Sequence, residues 1–239
     1  MKTKRISIPK IGEITFVKST KTRRLSIRIR PLEGVKVTFP ESVSFKEAQH
    51  FVEEKSSWIQ KHLPRIQHIE NQWTIFDENT TFRTREHQLE IIPHSELTAR
   101  YRVGRQKIQV YYPRHRDIHE EALQEFIREA IEEAWRREAK KYLPLRLAYF
   151  AQKHNFRYQN VFIKNTKTRW GSCSSQNNIN LSLHLMRLPD PLIDYVLLHE
   201  LCHTVEKNHG KNFWALLDQV TGDARGLDKQ LSQYYLKIY

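Results

Sequence analysis

Cysteine, acidic residues and long apolar runs are the scarce features of this sequence. Its 239 residues include two cysteines, Cys173 and Cys202, too few for a disulfide framework and not spaced as a Cys-x-x-Cys clip. That excludes a disulfide-stapled secreted module and favours a reducing, cytoplasmic compartment. No stretch approaches the roughly 20 apolar residues a membrane helix needs. Met1-Lys2-Thr3-Lys4-Arg5 leads into alternating Ile and polar residues rather than the apolar segment of a signal peptide. No membrane partner is expected. Low-complexity tracts and internal repeats are also missing. A hydrophobic content of 39% and a mean hydropathy of −0.68 leave a globular chain, long enough for one large or two small domains.

Acid is scarcest in the first half. Residues 1–116 carry 23 Lys/Arg against 12 Asp/Glu, whereas 117–239 carry 17 against 15. A basic half joined to a near-neutral one fits a polyanionic partner, nucleic acid or nucleotide, through the N-terminal half, and fits equally a solvated basic surface without a partner.

Periodicity divides the chain at the same place. Leu25, Ile27 and Ile29 alternate with Ser26, Arg28 and Arg30, and Val35, Val37 and Phe39 alternate beyond a Glu33-Gly34 turn, which predicts a hairpin with one basic face. A helix follows from about Ser44 to His62, ended by Pro64. Strand signals resume at Phe82, His87–Ile92 and Ile108–Tyr112. The aromatics interleaved with Arg and Lys there suit sheet packing better than base stacking. From Asp117 the period becomes helical: Leu123, Phe126, Ile127, Ala130, Ala134, Trp135 and Ala139 predict a helix of about 24 residues stopping before Pro144, with a second near 145–154. A short strand at Tyr158–Lys164, a turn at Gln176-Asn177-Asn178 and a strand at Ile179–Leu185 come next. Either Ile179–Leu185 or Arg169–Ser174 is the candidate edge strand for an added peptide.

The chemistry concentrates in His199-Glu200-Leu201-Cys202-His203. Residues four apart on a helix face the same way, so two imidazoles can share one zinc while the intervening glutamate reaches a water beside it. Asp190 as N-cap and Pro191 in the first turn make a helix start, and the apolar set Leu192, Tyr195, Val196, Leu198 and Cys202 carries the helix to about Val205, with an end near Lys207-Asn208, where Asn tolerates the left-handed cap. A third ligand converges better from beyond a chain reversal than from the same rod. His209 is therefore the expected third ligand, with Glu206 as competitor if the helix runs on. The spacing of 199, 203 and 209 equals that of the metzincins, but their pattern needs Gly where this chain has Glu206.

Arg169-Trp170-Gly171-Ser172-Cys173-Ser174, Asn180-Leu181, the histidine motif, Asn208-His209-Gly210 and Phe213-Trp214 together closely resemble the YgjP-like metallopeptidase domain family, bacterial relatives of the SprT/Spartan and WLM zinc proteases. Lys21–Arg30, Trp58-Ile59 and Lys140–Pro144 extend the resemblance over nearly the whole chain. Members usually have Ser after the third histidine; Gly210 resembles the SprT-like relatives instead. The resemblance implies one zinc per chain on His199, His203 and His209, with Glu200 as the catalytic glutamate. Arg169, Ser172 and Asn180 in these motifs, together with Glu206, are the expected substrate-binding residues.

The fold expected is α+β: a basic β-rich N-terminal subdomain (1–116), then a compact zincin-like metallopeptidase domain (117–239) of helices, a small mixed sheet and an active-site helix. The function expected is zinc-dependent hydrolysis of peptides or proteins, with nucleotide pyrophosphate hydrolysis on the same site, or nucleic-acid binding with a structural zinc, as alternatives. Arg169, His184, Tyr195, Tyr234 and Tyr235 are candidates to stabilise an oxyanion. Asp194 and Asp218 are candidates to orient a ligand imidazole.

Overall fold

Strands β1 (Lys2–Ile8), β2 (Gly12–Lys18), β3 (Ser26–Arg30) and β4 (Gly34–Phe39) form a sheet in the order β1-β2-β4-β3. The coordinates are a computed structural model describing residues 2–30, 34–70 and 74–236. β1 and β2 are an antiparallel hairpin, β2 lies parallel to β4, and β3 pairs antiparallel with β4. The expected pairing holds, with Ile29 opposite Val35; Glu33 of the expected turn lies outside the described residues. One side chain in two points inward, so Ile14, Phe16, Val35, Val37 and Phe39 are buried against Ala48, Val52 and Ile59 of the helical layer.

That layer is two helices rather than the one expected, α1 (Phe45–Glu54) and α2 (Ser56–Glu70), parted at Lys55. Ser44 and Glu47 close a capping box, with Ser44 Oγ accepting from the Glu47 N–H at 3.2 Å and Glu47 Oε2 accepting from the Ser44 N–H at 2.7 Å. Pro64 does not end α2 but lies inside it. The carbonyl it leaves unbonded belongs to Gln60, an exposed residue where water can take the bond.

The chain divides into two compact units, Met1–Thr74 and Ile75–Lys237. The expected division at 116/117 falls inside the second. There β5 (Gln88–His94), β6 (Arg100–Val103) and β7 (Lys107–Pro113) form a sheet in the order β5-β7-β6, packed on α3 (Glu121–Lys153). The buried Gln124 of α3 clamps the backbone of Phe76, accepting from its N–H at 2.9 Å and donating to its carbonyl at 2.7 Å. Phe76, Phe82 and Trp135 form a chain of edge-to-face rings. The region expected to belong to the basic half is thus tied to α3 by long-range contacts that composition does not reveal. Phe82 lies outside any strand, its neighbour Arg83 making an isolated bridge to Gln88.

α3 runs 33 residues straight through Pro144, where two helices were expected. Lys140, whose carbonyl loses its partner, is exposed, while Leu143 and Leu147 are fully buried and hold the helix on both sides of the proline. Beyond it, β8 (Val161–Lys164), β9 (Gly171–Cys173) and β10 (Ile179–Ser182) form a small mixed sheet in the order β8-β10-β9. Asn177 turns β9 into β10 in the left-handed region, φ 58°. β10 ends sooner than expected, giving way to a 3-10 turn at Leu183–Arg187. Then come α4 (Asp190–Cys202), α5 (Lys211–Thr221) and α6 (Ala224–Leu231). The architecture is α+β, and no described helix is long and apolar enough to cross a membrane.

Candidate metal centre

α4 is buried on nearly every side, from Leu192 and Ile193 to Leu201 and Cys202, as a core helix must be. Asp190 is its first residue rather than its cap, and its carboxylate engages Arg85. The helix closes at Cys202, earlier than expected, with His203 as C-cap at φ −67° and ψ −12°. Asn208 is absent from the residues with positive φ, so it is not a left-handed cap. Instead Thr204, Val205 and Glu206 donate back to Leu201 and Cys202 carbonyls at 2.8–3.0 Å, and the chain reverses into α5. That reversal carries His209 back over the end of α4.

The Nε2 atom of His209 lies 3.2 Å from Nε2 of His203 and 3.1 Å from Nε2 of His199. A ligand atom from each ring falls within 4.8 Å of the others. One ring nitrogen cannot donate its single hydrogen to two neighbours, so mutual hydrogen bonding does not account for this convergence. A cation does: ligand atoms at about 2.0–2.1 Å from a tetrahedral zinc lie roughly 3.3–3.4 Å apart. The residues present therefore fit a metal.

Their surroundings set the ligand state. Burial, with His203 and His209 adding to it, pushes the His199 imidazole down to about 3, and burial lowers His203 as well. Both are neutral near pH 7, the form that ligates. His203 Nδ1 donates to the Glu206 carbonyl at 2.9 Å, which leaves Nε2 as the acceptor. Phe213, fully buried, underlies all three rings with centroid distances of 4.9, 4.4 and 4.7 Å to His199, His203 and His209.

Glu200 is 5% exposed, and burial raises its carboxyl to about 8, with the Arg169 charge pulling the other way. Its Oε2 is buried with no hydrogen-bond partner among the described residues. The carboxylate rests on Gly171 of β9, where a Cβ would come within 2.6 Å of Oε1. Ser182 N–H donates to the Trp170 carbonyl and Ser174 N–H to the Asn178 carbonyl, which turns the backbone groups of Gly171 and Cys173 away from β10 toward the free edge. β9 is thus the edge strand beside α4, and β10, the other candidate, is central.

The expected substrate-binding residues separate. Arg169 is exposed and acts on Glu200 electrostatically. Ser172 and Asn180 pair across β9 and β10 and share the face opposite Gly171, away from Glu200. Glu206 follows the end of α4, and its carbonyl, not its carboxylate, touches His203. Asp194 is taken by Arg146 at 2.6 and 2.7 Å, and Asp218 caps the Ala224 N–H at 3.0 Å, so neither orients an imidazole. His184 is fully buried, 3.0 Å from Asn165 Oδ1, and Tyr195 donates to Asp228 while its ring packs edge-on to His199. Phe213 packs around the site as a core residue, as the sequence suggested. Sequence reasoning missed the roles of Gly171, which stands in the Arg169–Ser174 motif, and of the Glu206 carbonyl, a main-chain contact that leaves no trace in the sequence.

Three converging imidazole nitrogens, with a buried glutamate on the same helix, are the arrangement of a metallohydrolase. The chain belongs to the YgjP-like family, whose metallopeptidase domain model matches residues 23–234. Among solved structures it is similar to two metallopeptidase zymogens, Methanocaldococcus jannaschii jannalysin and Pyrococcus abyssi abylysin. They are 23% and 22% identical, aligned over 37% of this chain and 91% and 90% of theirs, each with a TM-score of 0.33. Wss1 from Saccharomyces cerevisiae is 16% identical over 63% of this chain and 97% of its own, with a TM-score of 0.29. No curated protein matches the chain.

Proposed function

We propose that the chain is a zinc-dependent peptidase whose metal is held by His199, His203 and His209 and whose general base is Glu200. The observation that carries this reading is the convergence of the three Nε2 atoms, at 3.1 and 3.2 Å, at the end of the helix that also carries Glu200, whose buried Oε2 has no partner among the described residues. Zinc bound there supplies a Lewis acid that acidifies water and polarises a scissile carbonyl. A divalent cation held by the three histidines would favour the ionised form of Glu200 against the burial that raises it. Glu200 then takes a proton from the attacking water and delivers it to the leaving nitrogen. The outward N–H and C=O groups of Gly171 and Cys173 accept an extended peptide as an added strand. That edge favours a polypeptide over a nucleotide as substrate.

The test combines metal analysis with turnover. Wild type is expected to hold about one zinc per chain, and Glu200→Gln to keep the zinc while losing peptide cleavage. Residual activity of Glu200→Gln within tenfold of wild type would remove Glu200 as the base. Nucleotides are assayed beside peptides, and pyrophosphate cleavage without peptide cleavage would replace the substrate while keeping the site.

A further inference from the structure

Positive charge in the N-terminal unit is concentrated in its first 39 residues, the strands of its sheet and the segments joining them. Residues 1–39 carry 11 Lys/Arg and two Asp/Glu, Glu13 and Glu33. The sheet's inner face is committed to the core, so its outer face displays the alternate side chains. Register puts Arg5, Thr15, Lys36 and Arg28 in one row across all four strands, with Arg30 two residues along β3. Arg28 stands directly opposite Lys36, and like charges so placed destabilise a sheet. Neither has an acidic partner among the described residues, and Arg5 has only an exposed contact with Glu13 at 3.5 Å. Arg28, Arg30, Gly34, Lys36 and Thr38 line a depression of about 100 Å³.

Charged residues on an edge strand commonly prevent edge-to-edge aggregation. That explains Arg28 and Arg30 on β3 but not Lys36, because β4 is an interior strand. A bound anion does explain the row, since it relieves the repulsion between Arg28 and Lys36.

We propose that the outer face of this sheet, centred on Arg28 and Lys36, docks the phosphate backbone of double-stranded nucleic acid without reading its sequence. The row offers cations and hydroxyls (Arg5, Thr15, Lys36, Arg28, with Thr38 and Ser26 in the next row) and no aromatic ring on which an unpaired base could stack. It also offers no projecting apolar side chain: Val17, the hydrophobic residue on the outer face of β2, is 7% exposed. That disfavours insertion into a lipid surface. Duplex nucleic acid, a regular line of phosphates, is the occupant that matches.

The experiment is a fluorescence-anisotropy titration of the full chain with a random-sequence DNA duplex over a range of salt. About four phosphate contacts give a log K against log salt slope near −3.6 for wild type. The Arg28→Ala/Lys36→Ala variant is expected to bind at least tenfold more weakly, with the slope shallower by about 2. Arg28→Lys/Lys36→Arg, which keeps the charge, is expected to bind like wild type, as is Lys55→Ala/Lys61→Ala on the helical layer. Thermal melting of each variant establishes folding, and the alanine pair, freed of its repulsion, is expected to melt no lower than wild type. Duplex binding unchanged by Arg28→Ala/Lys36→Ala, absent in wild type, or replaced by binding to phosphatidylserine vesicles alone would overturn the proposal. None of these outcomes depends on peptidase activity.

Discussion

Gly171 leaves no room for a side chain beside Glu200: a Cβ there would sit 2.6 Å from Oε1, 2.7 Å from Cγ and 2.9 Å from Cδ of the carboxylate. The neighbour that must yield is buried and cannot swing into solvent. Gly171→Ala is therefore expected to displace the carboxylate while leaving the three histidines untouched. A misplacement near 1 Å costs about 10²-fold in rate. Zinc content equal to wild type with kcat reduced on that order is the expected pair of measurements. Unchanged kcat would show that the Gly171 contact does not position Glu200.

In the proposed zinc site, the choice between His209 and Glu206 as third ligand turns on where α4 ends. Because the helix closes at Cys202, Glu206 offers only its carbonyl to His203, and that survives truncation of the side chain. Glu206→Ala is expected to change zinc affinity by less than about threefold, whereas His209→Ala is expected to lower it by 10²-fold or more. Competition with a chromophoric chelator measures both. The opposite ranking would restore Glu206 as the ligand that a longer helix would have made it.

The helix that carries the motif is anchored by Arg146 of α3, which holds Asp194 through two parallel hydrogen bonds of 2.7 and 2.6 Å. The guanidinium also lies over the rings of Tyr149 and Phe150, at 5.1 and 4.7 Å. The pair is partly exposed, so its coupling is screened, and about 1 kcal/mol is expected from a double-mutant cycle of Arg146→Ala and Asp194→Ala. Urea denaturation reads it, and zero coupling would mean that each residue acts only through its separate packing.

The β3–β4 pairing and the Asn177 turn were legible because each is fixed by residues adjacent in sequence: strict alternation in one case, an αL-tolerant asparagine in the other. The histidine motif, its helix and a further histidine beyond a reversal were legible for the same reason, and the structure brings those three rings together. Proline misled twice, because Pro64 and Pro144 sit where the lost hydrogen bond falls on exposed residues, and exposure of Gln60 and Lys140 cannot be read locally. The division at Thr74 depends on Gln124 reaching back to Phe76 across 48 residues, a contact no window detects. Ser172 and Asn180 were expected at the site because they stand in the family motifs, but strand alternation puts them on the face opposite Gly171.

His184 makes stability depend on pH. Its ring is fully buried, edge-on to Trp135 at 5.8 Å, with Nε2 3.0 Å from Asn165 Oδ1 and 3.8 Å from Glu132 Oε1. Burial pushes the imidazole from 6.5 down to about 4; Glu132 opposes the shift, while Arg187, Lys167 and Arg136 reinforce it. The folded protein thus resists a proton that the unfolded chain accepts below about pH 6.5. The unfolded state binds more protons across that window, so the contribution of neutral His184 is present above pH 6.5 and is lost as pH falls toward 4. The loss amounts to about 3 kcal/mol at its limit. Other groups titrate in the same range, and comparison with His184→Gln in the presence of chelator cancels them, including any bound metal. Wild type is expected to lose more unfolding free energy than His184→Gln between pH 7 and pH 4.5, measured by urea denaturation at each pH. Parallel curves would show that His184 takes up its proton in the folded core as readily as in water.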